Sequence, residues 1–208
     1  RHESLPMFTD DKLQLLDIKM GNTCNLACAM CGPDSSSKWA SIFKSMGVES
    51  PKVEQWHDKD IFWEDLNLVT KNLTKIEIAG GEPFMIDQHF DMLQGIVDRG
   101  IAHQVEIHYN TNGTQWPERG PDIWRHFKTV EVAFSIDDVG ARFEYQRTNA
   151  DWAVVLDTIT SFQYLKDQLP NLRLQCCSTV NVFNVRYIDQ LAYWIALQRF
   201  DFVYWNIM

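Results

Sequence analysis

"GNTCNLACAMCGP", residues 21–33, gathers three of the chain's five cysteines, Cys24, Cys28 and Cys31, into eight positions framed by glycine, asparagine and proline. A disulfide framework spreads its cysteines along a chain, whereas so tight a group in a reducing compartment more often binds metal. Working outward, the preceding "LLDIKM" reads as a strand. The following stretch, 36–46, reads as a helix with Trp39, Ile42, Phe43 and Met46 on one face, caps available at Ser35 to Ser37 and a stop at Gly47. The cysteines therefore sit on a loop between the first strand and the first helix. Spacings of four and three would also place small apolar side chains on one helix face, but Gly21, Asn22, Asn25 and Pro33 make a poor helix frame. Three thiolates plus a remote fourth ligand would make a structural zinc site. Cys176 and Cys177 are adjacent on a strand, point to opposite faces and read as core cysteines, with one of them left open as that fourth ligand. An iron–sulfur cluster held by three thiolates fits better, because an incomplete cage leaves one iron for a substrate or cofactor.

Five further strand-like runs follow: "KIEIAG" (75–80), "QVEIHYN" (104–110), "VEVAFSID" (130–137), "LRLQCCSTVNV" (172–182) and "FDFVYWNI" (200–207). Helical patterns lie between them, one starting at a cap on Asp87 and ending at Gly100, one over 151–169 with Trp152, Val155, Ile159, Phe162 and Leu169 in a stripe, and one over 185–199. Residues 48–60 are the least regular and read as a surface insertion. Strands alternating with helices specify an α/β fold with a parallel sheet of βα units. Such folds carry their chemistry at the C-terminal ends of the strands. The cysteine loop, "GGEP" (80–83), "NTNG" (110–113) and "SIDD" (135–138) follow the first four strands and fall on one rim.

The 208 residues are 45% hydrophobic and 12% aromatic, enough for a substantial core. A formal charge of −9 disfavours a grip on nucleic acid phosphates. No apolar run is long enough to cross a membrane, and "RHESLPMFTDDK" lacks the apolar stretch of a signal peptide, so a cytoplasmic protein is expected. The chain opens on Arg1 and stops straight after an apolar strand, which suggests an excerpt of a longer protein.

The sequence resembles the radical S-adenosylmethionine (SAM) superfamily. Its C-x3-C-x2-C loop after the first strand of a partial (βα)6 TIM-like barrel is matched by "CNLACAMC", and its motif after the second strand by "GGEP". The segment 135–152, "SIDDVGARFEYQRTNADW", looks like the Ser-x-Asp and Arg stretch of members that carry a C-terminal SPASM or twitch extension. Two positions depart from the pattern. Met30 stands where an aromatic residue is usual before the last cysteine, and Asp138 where glycine often follows Ser-x-Asp.

The resemblance implies that residues 1–208 form a radical SAM core domain, with a SPASM or twitch extension beyond Met208. Cys24, Cys28 and Cys31 would hold a [4Fe-4S] cluster. Gly80, Gly81, Glu82 and Pro83 would meet the SAM amino group, Ser135 and Arg147 its carboxylate, Asp137 the ribose, and Asn110 and Asn112 the same cofactor. Reduced flavodoxin or ferredoxin would deliver the electron, and a peptide or protein is the expected substrate. A nucleobase- or tRNA-modifying radical SAM enzyme is the alternative within the family. A non-catalytic iron–sulfur or zinc protein is the alternative outside it.

Overall fold

In the computed structural model, residues 13–53, 56 and 59–208 are described. In chain order the elements are β1 (Leu15–Lys19), β2 (Ala27–Cys28), α1 (Ser37–Ser45), α2 (Asp60–Val69), β3 (Lys75–Ala79), α3 (Gln88–Asp98), β4 (Glu106–Thr111) and α4 (Gly120–Trp124). They continue with β5 (Thr129–Ser135), α5 (Ala141–Gln146), β6 (Arg147–Thr148), α6 (Trp152–Gln168), β7 (Leu172–Val180), α7 (Ile188–Ala196) and β8 (Phe202–Ile207).

Six strands form one sheet in the order β1-β3-β4-β5-β7-β8, and every neighbouring pair is parallel. Each long strand lies beside the next in the chain, the arrangement of a partial TIM-like barrel. All six strands expected from the sequence are present, with ends displaced by a few residues. The expected insertion at 48–60 falls partly outside the described residues, at 54, 55, 57 and 58. Asp87 occupies the N-cap of α3 with helical dihedrals and makes no side-chain capping bond. Asp151 does cap α6, accepting from the Ala153 N–H.

Side chains alternate between the two faces of the sheet, and the faces differ in chemistry. One face, carrying Ile76, Ile78, Ile107, Tyr109, Val130, Val132, Phe134, Leu172, Leu174 and Cys176, is buried in the hydrophobic core. There Trp124 lies 5.5 Å from Tyr109 and 6.1 Å from Phe162, ring centre to ring centre, and donates its indole N–H to the Tyr109 hydroxyl. The inward face of the barrel is polar. In one continuous rung the register sets Asp17 beside Glu77, Glu77 beside His108, His108 beside Glu131 and Glu131 beside Arg173. His108 Nδ1 lies 2.8 Å from Glu131 Oε1, with both side chains still partly open to solvent. Closed eight-stranded barrels fill this space with branched apolar side chains; here the inward-facing rung is charged and partly open to solvent. β8 ends the sheet, and all six of its residues are exposed.

Candidate functional site

The cysteine loop is held from α1. Ser36, the N-cap of α1, accepts from the Trp39 N–H and donates its hydroxyl to the Leu26 carbonyl at 2.5 Å. Ser37 donates to the Cys24 carbonyl at 3.1 Å, and the Trp39 indole N–H donates to the Cys28 carbonyl at 2.8 Å. Asn22 closes the loop on itself by donating to the Pro33 carbonyl. A segment poor in regular structure thus acquires fixed carbonyls and a defined thiol arrangement.

The strand ends close around it. Gly80 and Gly81 have φ of 90° and 54°, in the region that favours glycine. A Cβ on Gly80 would come within 2.5 Å of Lys19 Cγ, and one on Gly81 would collide with the Thr23 carbonyl. The glycines let the β3 end dock backbone to backbone on the cysteine loop, where the Glu82 N–H donates to the Thr23 carbonyl at 2.7 Å. Glu82 itself is fully buried. Its Oε1 accepts from the Thr111 hydroxyl at 2.8 Å and the Phe84 N–H at 3.2 Å, and its Oε2 from the Asn112 N–H at 2.7 Å. Burial pushes its carboxyl up to about 7 against the lowering effect of these donors. The carboxylate therefore fastens the ends of β3 and β4 together, where the resemblance implied that it would face a cofactor. Pro83 is buried in the 3-10 turn that follows and fixes the chain direction there.

Asn112 reaches from the β4 end to the loop, donating to Asn25 Oδ1 at 3.0 Å and lying 3.7 Å from Cys24 Sγ. From the other side, β2 and β6 form a two-stranded antiparallel pair with Cys28 opposite Arg147. Arg147 donates from Nε and Nη2 to Asp137 Oδ2, at 3.0 and 2.6 Å. Asp137 Oδ1 accepts from the Thr179 N–H, so both oxygens of this carboxylate have partners within the chain. Asp138 is buried, accepts from the Val139 N–H and pairs with Arg142.

Cys24, Cys28, Cys31, Gly80, Gly81, Asn110, Asn112, Ser135 and Arg147 all line one cleft of about 180 Å³, which Met30 also enters. Of the expected site residues only Glu82, Pro83 and Asp137 stand behind its wall. The cleft residues come from four strand ends and from β6, which lie up to 123 positions apart in sequence. Cys176 and Cys177 do not line it; Cys176 is buried in the core and Cys177 is half-buried on the opposite face of β7.

All five cysteines are free. Burial raises the Cys24 thiol. Cys28 and Cys31 share a hydrogen bond that raises Cys28 and lowers Cys31, making Cys31 the more acidic of the pair. Among the described residues no three His, Cys, Asp or Glu side chains converge on a single-ion centre. Thiols that hold a multi-iron cluster stand at separate corners and need no such convergence. Three thiols at one cleft wall, with no fourth acidic or imidazole ligand in the lining, are a donor set that fits an iron–sulfur cluster with one open iron.

The sequence offered Ser36 as a helix cap, Trp39 on a helix face and Thr111 within "NTNG", but not their bonds to the cysteine loop and to Glu82. The two-residue pairing of β2 with β6 had no periodicity to reveal it.

No family model matches the chain, and no curated protein matches it. Among solved structures, anSMEcpe with bound AdoMet superposes with a TM-score of 0.67 at 18% identity, covering 93% of this chain and 51% of that one. Streptococcus suis SuiB bound to S-adenosylmethionine gives 0.62 at 14%, covering 95% and 41%. TsrM from Kitasatospora setae, a radical S-adenosylmethionine methyltransferase with cobalamin and a [4Fe-4S] cluster, gives 0.52 at 10%, covering 93% and 34%. At these identities the likeness is one of fold: the chain has the core fold of radical SAM enzymes. It spans about half the length of the first of these structures and less of the others.

Proposed function

We propose that this chain is the catalytic core of a radical SAM enzyme acting on a peptide or protein. The observation that carries the reading is the convergence of Cys24, Cys28 and Cys31 with Gly80, Asn110, Ser135 and Arg147 on one cleft at the C-terminal ends of a parallel barrel. The three cysteines would hold a [4Fe-4S] cluster and leave its fourth iron to SAM. When bound, the two groups supply reductive cleavage to a 5′-deoxyadenosyl radical that takes a hydrogen atom from the substrate.

The chain's own contribution is binding, orientation and exclusion of water. Ser135 and Asn110 line the cleft and offer polar groups to the SAM carboxylate and hydroxyls. Arg147, clamped by Asp137 through Nε and Nη2, directs Nη1 at Cys28 Sγ and lines the cleft with Ser135. Glu82 and Pro83 act from behind, by fixing the β3 and β4 ends around the loop. Met30 lends a polarisable apolar wall in place of the family's aromatic ring.

A peptide substrate is supported by anSMEcpe and SuiB, each of which has been solved with a peptide bound. The exposed β8 supports a further SPASM or twitch segment packing against that edge. Free cysteines suit a reducing compartment, and we assign the protein to the cytoplasm with a reduced flavodoxin or ferredoxin as donor. Among the described residues no helix is long and apolar enough to cross a membrane.

The test is anaerobic. The protein is reconstituted with iron and sulfide, reduced with dithionite and given SAM, and 5′-deoxyadenosine is assayed by mass spectrometry. Production is expected, and its loss on replacing any of Cys24, Cys28 or Cys31 by Ala. A full cluster retained when all three are replaced would overturn the assignment.

A further inference from the structure

The guanidinium of Arg147 is held on three sides. Asp137 Oδ2 takes two of its N–H groups, Phe143 lies beneath it with its ring centre 5.7 Å from Cζ, and Nη1 is directed at Cys28 Sγ, 3.8 Å away. The Arg147 side chain is 10% exposed and that of Asp137 1%, so the pair acts in a low-dielectric setting where charge is poorly screened. The antiparallel pairing of Cys28 with Arg147 fixes the two backbones opposite one another, so the N–H to sulfur contact is built into the fold.

We propose that Arg147 is a positioning residue that sets the reduction potential of the iron–sulfur group held by the cysteines, with Asp137 as its counterweight. This rests on the cluster reading given above. Reduction by one electron from the donor adds negative charge beside Cys28. A hydrogen bond to the ligating sulfur and a buried cation both stabilise that charge and move the potential upward. Asp137 offsets part of the cation's field, so the potential reflects the balance of the two. The charges therefore act with opposite signs, which a purely structural role does not predict.

The experiment compares wild type with Arg147→Gln, Arg147→Lys and Asp137→Asn, each reconstituted with iron and sulfide. Iron and sulfide content and circular dichroism verify the cluster and the fold, and the midpoint potential is read by redox titration followed by electron paramagnetic resonance. Arg147→Gln removes the cation beside an intact carboxylate, and its midpoint is expected to become more negative. Asp137→Asn frees the cation's field and is expected to move the midpoint the other way. Arg147→Lys keeps the charge and is expected to fall between Arg147→Gln and wild type. Intact clusters with unchanged midpoints, or shifts of the same sign for Arg147→Gln and Asp137→Asn, would overturn the proposal. Should Arg147→Gln fail to fold, Asp137→Asn decides, and a midpoint that does not rise in that variant counts against it. A wild-type chain that takes up no four-iron cluster would instead remove the functional reading itself.

Discussion

Glu82 shows how a buried carboxylate with three donors still resists ionisation. In the unfolded chain it titrates at its ordinary value near 4.5, but in the folded protein at about 7. Between these values the folded state holds a proton that the unfolded state has released. Stability therefore falls as the pH rises through this window, by about 3 kcal/mol in all. Glu82→Gln carries no such titration. Urea unfolding of the cluster-free protein at pH 4.5 and pH 7.5 is expected to show wild type losing about 3 kcal/mol more than the variant over that interval. The residues that line the cleft could be named from the sequence, but the orientation of the carboxylates beside it could not. "GGEP" and Ser-x-Asp advertise carboxylates, and nothing in a linear motif says whether a carboxylate faces a ligand or its own backbone. Thr111, Phe84 and Thr179, which decide the matter for Glu82 and Asp137, lie outside those motifs.

Among the elements, the join between the β3 end and the cysteine loop is the tightest. Gly81→Ala would force both a strained φ and a collision with the Thr23 carbonyl, at a cost of about 3 kcal/mol in urea unfolding. Because the same contact shapes the thiol loop, the variant is expected to incorporate less iron on reconstitution, measured against protein by colorimetric assay. A weaker effect belongs to α1: Ser36→Ala removes its cap and the donor to Leu26, costing about 1 to 2 kcal/mol by the same measurement. The long strands were readable because their β-branched runs are short and bounded. The helices α4 and α5, of five and six residues, complete too few turns to show a period, and the two-residue strands β2 and β6 show none at all.

At the scale of the whole sheet, an exposed edge strand and a polar inward face stand out among the described residues. One is β8, where Tyr204 is 54% exposed and Ile207 83% on a sheet edge with free backbone groups. Such an edge invites pairing with another chain. Tyr204→Lys and Ile207→Lys together are expected to lower the light scattering of concentrated protein without changing its unfolding free energy by more than about 0.5 kcal/mol. The other is the polar inward face of the sheet. Its charged rung was invisible in the sequence, because only the pairing register shows that Asp17, Glu77, His108, Glu131 and Arg173 are neighbours. His108 lies about 7 Å along β4 from Asn110 on the same face, partly open to solvent, whereas His89 is sealed in the core against Phe90. Diethyl pyrocarbonate is therefore expected to modify His108 and spare His89 in the folded protein, as read by peptide mass mapping. The inward face of the sheet thus carries its own footprinting reporter: a molecule that covers it shields the His108 imidazole, and screening for that protection would reveal occupants whatever reaction they undergo.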